Sequence, residues 1–110
     1  MSTVPLPAVI ATYLDAHDRH DTDASLAAFA PDAIVVDDGQ TARGLDQIRA
    51  WLDGAASEYT FTRELRSATE ADGGWLVVNH LEGDFPGGQV DLSYRFVVAD
   101  GLISELVIAP

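Results

Sequence analysis

The sequence predicts an α+β domain in which three N-terminal helices cover one face of a curved antiparallel sheet. Three observations predict it. Apolar residues recur at helical spacing through most of the first half, interrupted by one short apolar run at 33–36. From about residue 59 the pattern changes to strict alternation. Three short glycine turns, ADGG, PGG and DG, divide that second half into four alternating segments, the signature of an antiparallel meander. At 110 residues the chain has room for one core, so residues 1–110 are read as a single domain.

Each element has its own reason. Val9, Ile10, Tyr13, Leu14 and His17 fall on one side of a helix over roughly residues 6 to 20, with Asp15, Asp18 and Arg19 on the other. A short second helix follows, with Asp21 or Thr22 as N-cap, Leu26 and Phe29 as its buried pair and Pro31 closing it. Ala33 to Asp37 reads as a strand. After a glycine loop, Leu45, Ile48, Trp51, Leu52 and Ala55 line one face of a third helix. The segments YTFTRELRSATE, WLVVNHLEGDF, QVDLSYRFVVA and LISELVIA are the four strands.

Alternation also assigns faces. Val90, Leu92, Tyr94, Phe96 and Val98 share one side of their strand, which is expected under the helices, whereas Asp91, Ser93 and Arg95 share the other. The last strand is apolar on both sides: Leu102, Leu106 and Ile108 on one, Ile103 and Val107 on the other. A second apolar face on a sheet already covered by helices points to a partner surface, most simply a second copy of the chain.

Composition excludes several classes. Six Arg and no Lys stand against thirteen Asp and five Glu, a formal net charge of −12. Such a chain repels nucleic-acid phosphates and anionic membranes, so neither is an expected partner. The absence of cysteine removes disulfides, thiolate metal sites and a cysteine nucleophile. No apolar run approaches the ~20 residues of a membrane helix. The N-terminus has neither the basic flank nor the small-residue cleavage site of a secretory signal, and a cytoplasmic protein is the expectation.

Tyr13, the stretches LAAFAPDAIVVDDG (26–39), GLDQIRAWL (44–52) and YRFVVADGLISELVI (94–108), and the order of elements together resemble the nuclear transport factor 2-like superfamily. Within it the likeness is to the SnoaL-like and ketosteroid-isomerase-like group, over essentially the whole chain. The resemblance implies a cone-shaped, cystatin-like roll around a pocket open at one end, and a homodimer, here through the outer sheet face. Members include isomerases, dehydratases, epoxide hydrolases and polyketide cyclases, alongside domains that only bind ligands or assemble. Fold alone does not choose among them.

The site is therefore argued residue by residue. On the first strand Val35 and Asp37 share one face, and Ile34, Val36 and Asp38 the other, so one of the two aspartates points inward. The plain alternative is that both are solvated turn residues. The resemblance picks Asp37 as general base and leaves Asp38 to begin the turn with Gly39. It also matches Tyr13 to a first-helix tyrosine that stabilises an oxyanion, where a core tyrosine is the plain alternative. It places Leu92, or Ser93 with a one-residue shift, where the isomerases carry a second, acidic oxyanion donor, a departure that argues against a true steroid isomerase.

His80 alternates with Glu82 and Asp84, and a His–Asp pairing serves dehydration elsewhere in the superfamily. That makes it a third catalytic candidate, against the alternative of a solvated strand face. No metal and no cofactor are expected. His17 lies one turn after Tyr13 on the same helix face. It joins Trp51, Phe61, Tyr94 and Leu106 as the expected wall of a site for a small apolar or aromatic molecule, unless these side chains simply fill the core. The expected function is a cofactor-independent isomerase, cyclase or dehydratase acting on an apolar carbonyl compound. The alternative is a non-catalytic ligand-binding or homodimerisation domain of the same fold.

Overall fold

Pro7, with φ of −51° and no amide proton to leave unsatisfied, starts the first helix. The computed structural model describes residues 6–54, 60–71 and 73–110. Among them α1 spans Ala8–Asp18, α2 Thr22–Leu26 and α3 Gly44–Asp53, and the strands are β1 Phe29–Asp37, β2 Gln40–Arg43, β3 Phe61–Ala71, β4 Gly74–Gly83, β5 Gln89–Ala99 and β6 Leu102–Ala109. Ala55, Tyr59 and part of the ADGG turn lie outside the described residues. None of the described helices is long and apolar enough to cross a membrane.

The strands form one six-stranded sheet in the order β2-β1-β6-β5-β4-β3. The four later strands make the expected antiparallel meander. The sheet as a whole is mixed, because β1 runs parallel to β6. Three helices pack against it. Ile10 and Tyr13 of α1 and Ile48 and Leu52 of α3 meet Val35, Phe96, Ile103 and Leu106 of the sheet in one buried cluster. Each of these large side chains contributes roughly 1.5–3 kcal/mol by leaving water.

Local chemistry explains the boundaries. Asp21 caps α2, its Oδ1 accepting the Ala24 N–H at 3.0 Å. The helix stops at Leu26, and Phe29, expected at its end, instead opens β1 as a buried strand residue. Pro31 does not close the helix. It sits in the stretch between Phe29 and Ile34 where the β1–β6 register slips, a place that tolerates a residue without an N–H.

Residues 40–43, expected as loop, form β2. Asp38 and Gly39 have φ of +53° and +76°, the left-handed pair that makes a two-residue Asp-Gly hairpin. Asp38 is thus the exposed turn residue, and Asp37 the last residue of the strand before it.

The β5 face assignment holds: Tyr94 and Phe96 are buried, while Asp91 and Arg95 are exposed. The β6 assignment does not. A register shift pairs Val97 with Glu105 but Val98 with Ile103, so Ser104 is an extra residue. Beyond it the parity reverses, which buries Ile103, Leu106 and Ile108 together on the inner side. Val107 lies on the outer side, between Arg95 of β5 and Val36 of β1.

Candidate active site

Asp37 reaches the site because β1 ends there. Its register neighbour on β6 is Ile108, whose neighbour on β5 is Tyr94, so the three form one cross-strand row on the inner face. From α3 the Trp51 indole Nε1–H donates to Asp37 Oδ2 at 3.0 Å. That charge-assisted bond fixes the carboxylate against the wall.

The carboxylate opens onto a cavity of about 250 Å³ that also meets Tyr13, His17, Trp51, Phe61 and Tyr94. Six of the eight residues predicted for the site therefore share one cavity. The His17 ring lies between Trp51, at 6.5 Å and 20°, and Phe61, at 6.1 Å and 29°, continuing the aromatic wall from α3 across α1 to β3. Tyr13 packs edge-on against Phe29 and Phe96. Burial pushes its phenol well above the usual range, and the neighbouring Tyr94, Asp37 and Asp18 push the same way. The Tyr94 phenol is pushed up to about 12, by burial first and then by Asp37. Both remain O–H donors at neutral pH.

Behind this wall the Arg63 guanidinium clamps Asp18 at the end of α1. Nε donates to Oδ1 at 3.0 Å and Nη2 to Oδ2 at 2.8 Å, while Nη1 donates to Oδ1 of the buried Asn79 at 3.3 Å. The bidentate pair ties α1, and with it Tyr13 and His17, to the sheet.

Two predicted residues lie elsewhere. His80 is not in the cavity. Its strand neighbours Asn79 and Leu81 are buried on the inner side, so strand alternation turns His80 outward. There Nδ1 meets Asp91 Oδ1 at 2.6 Å and Nε2 meets Glu82 Oε2 at 2.9 Å. Carboxylates only accept, so a ring donating from both nitrogens is an imidazolium, and its pKa is raised by the Asp91 bond first and the Glu82 bond second. Leu106 is 0 % exposed and pairs with Phe96 in the core. The cavity floor is Ile108, two residues further along β6.

Five further residues line the cavity, Leu81, Phe85, Val90, Leu92 and Ile108, of which the resemblance points only to Leu92. Val90 and Leu92 have the parity of Tyr94 and Ile108 that of Leu106, so alternation carried the signal for three of them. Phe85 comes from the β4–β5 turn, where no periodicity points.

Fold and site together define an α+β roll that encloses an apolar cavity with one held carboxylate. The sequence profile of the SnoaL-like domain matches residues 10–106, and the chain belongs to that family within the nuclear transport factor 2-like superfamily. Among solved structures, a candidate polyketide cyclase from Sinorhizobium meliloti is 36% identical, with a TM-score of 0.88 over 94% of this chain and 95% of that one. The Δ5-3-ketosteroid isomerase of a Mycobacterium species is 21% identical, with a TM-score of 0.78 over 98% and 94%. A hypothetical protein of Catenulispora acidiphila with a ketosteroid-isomerase-like fold, solved with trimethylamine, is 18% identical, with a TM-score of 0.83 over 96% and 87%. No curated protein matches the chain.

Proposed function

We propose that this protein is a cofactor-independent isomerase, cyclase or dehydratase of small apolar carbonyl compounds, with Asp37 as general base and Tyr13 as hydrogen-bond donor to the substrate oxygen. The observation that carries the reading is the Asp37 carboxylate, held by the Trp51 N–H on the wall of a largely apolar cavity that also meets Tyr13. A carboxylate in such a site can take a proton from carbon next to a carbonyl, and a buried phenol can stabilise the oxyanion that results. The likeness to a candidate polyketide cyclase at 36% identity supports chemistry of this class.

The ligand is a small apolar or aromatic molecule. A volume of about 250 Å³ equals roughly eight waters at about 30 Å³ each, enough for one or two fused rings. Two copies of the chain pair through the outer sheet face, where Val107 of β6 lies beside Val36 of β1.

A second reading, ligand binding without turnover, is favoured by Leu92, an apolar residue on the cavity wall where a second acid would strengthen catalysis. The deciding experiment follows conversion of β,γ-unsaturated cyclic ketones to their conjugated isomers by ultraviolet absorbance. Turnover by the wild type and its loss in Asp37→Asn support the enzyme. Ligand binding without turnover, unchanged in Asp37→Asn, supports the binding domain.

A further inference from the structure

We infer that Phe85 sets the length of ligand this cavity accepts: held on a preformed turn at the open end, its ring is the stop against which the apolar tail of an elongated ligand ends. The inference rests on the reading of the cavity as a ligand site and not on the role of Asp37 as base.

Exposure along β5 gives the cavity a direction. Phe96 is 0 % exposed and lies outside the cavity wall. Tyr94, the next inward-facing residue, is buried on that wall, and Leu92 and Val90 beyond it are half-buried. The closed end is therefore at Phe96 and the open end at the connection between β4 and β5. Tyr94 to Val90 spans about 13 Å, at about 3.3 Å per residue of strand. Phe85 stands past Val90, the one large apolar residue in a connection otherwise made of Gly, Asp and Pro, and its ring joins the cavity wall.

The connection is tightly built. The Gly88 N–H donates to the Phe85 carbonyl at 3.0 Å, and Gly87 has φ of +89°. With Pro86 in second position this is a type II turn, whose third residue must take positive φ. The Gly83 N–H donates to the Gly88 carbonyl at 2.9 Å and closes the stem. Asp84 latches that stem sideways to the residue before β3. The Thr60 N–H donates to Asp84 Oδ1 at 2.9 Å, and the Asp84 N–H donates to the Thr60 carbonyl at 3.1 Å. The approach is so close at Gly83 that a Cβ there would clash with the Thr60 carbonyl oxygen and with the Phe61 Cβ. Phe61 and Phe85 are thereby held together at the opening, both half-buried and both on the cavity wall.

A ring fixed in this way is an end-stop rather than a lid. Ligand atoms that lie between Tyr94 and Phe85 leave water, and each methylene among them adds about fourfold in affinity. A longer tail has to break the turn or the latch to push the ring aside, or else run past it into water, where it adds nothing. The side chains of Phe61, Phe85 and Val90 offer no hydrogen bond, so the part of the ligand that reaches this end is apolar.

The test is calorimetric binding of para-alkylphenols with ethyl, butyl, hexyl and octyl tails, whose hydroxyl supplies a polar end. On the unsubstituted chain, affinity should rise about fourfold per methylene and level off within the series. In Phe85→Ala the rise should continue, so that the octyl compound binds at least about tenfold tighter than it does to the unsubstituted chain, while the ethyl compound stays within about twofold. The same length profile in both proteins, or an equal loss at every length, would overturn the proposal. A measurement without any substitution guards against a misfolded variant. In the complex with the longest tail that still gains affinity, nuclear Overhauser contacts from the terminal methyl should reach the Phe85 ring, and contacts to other cavity residues without Phe85 overturn the assignment. If no compound binds the unsubstituted chain, the reading of the cavity as a ligand site fails and this proposal with it. Binding with a length profile that ignores Phe85 removes this proposal alone.

Discussion

The Trp51 indole N–H and the Asp37 carboxylate meet at 3.0 Å, joining the last turns of α3 to the end of β1. The bond restricts the carboxylate to one orientation while leaving its other oxygen for chemistry. A positioned base works because the reacting atoms are already aligned.

Asp37→Asn keeps the shape and removes the base. Turnover should fall by about 10²–10⁴-fold, with the thermal midpoint nearly unchanged. Steady-state kinetics on a β,γ-unsaturated cyclic ketone, run beside a circular dichroism melt, measures both.

Trp51→Phe retains an aromatic wall but deletes the donor. A hydrogen bond to a charged group is worth about 1.5–3 kcal/mol, so kcat should fall at least about tenfold while KM moves less. A rise in KM with kcat unchanged would mean that Trp51 binds substrate rather than positioning Asp37.

His80 links stability to pH from the far side of the sheet. Its pKa is raised above the ordinary 6.5 by Asp91 and Glu82, so the folded state holds the proton more tightly than the unfolded chain. That contribution is fully present below about 6.5 and disappears as pH rises through the folded value. The melting-temperature gap between wild type and His80→Gln should therefore be larger at pH 6 than at pH 9, with ligand binding unaffected. A gap that does not change with pH would contradict the imidazolium assignment.

Leu106→Ala and Ile108→Ala separate core from site. Leu106 is fully buried beneath Phe96, so its truncation should cost about 2–5 kcal/mol in denaturant unfolding. Ile108 faces the cavity, and its truncation should enlarge the site and shift preference toward larger ligands, at a smaller cost in stability.

Val107→Lys places a charge on the outer sheet face beside Val36, next to Arg95. Under the proposed pairing, light scattering should report a dimer for the unsubstituted chain and a monomer for the variant. An unchanged mass would move the interface elsewhere.

Much of this could be read in the sequence, and the misses share a cause. The helices and the meander announce themselves by periodicity, and so does the inward strand face that carries Tyr94. The Asp38–Gly39 pair contained the hairpin to β2, but a four-residue strand is too short to alternate visibly. Ser104 hides a bulge that reverses every later side chain of β6, which periodicity cannot detect without the partner strand. His80 sits in a strand apolar on both sides, Trp75 and Val77 against Leu76 and Val78, so alternation gave its companions but not its face. Asp37 was legible only as one of two, and the turn geometry of Asp38 separates them.

The parallel seam between β1 and β6 makes β6 the keystone of the sheet. Remove it, and a two-stranded hairpin bearing Asp37 shares no strand pairing with the three-stranded meander bearing Tyr94. The Asp37 carboxylate and the Tyr94 phenol therefore come into register only when the last strand docks, across a long separation in the chain. Contacts of that kind form late, because loop-closure entropy must be overcome before they reward the chain. A partly folded molecule then holds the two halves of the cavity wall apart, and competence for ligand should appear together with the global fold rather than before it.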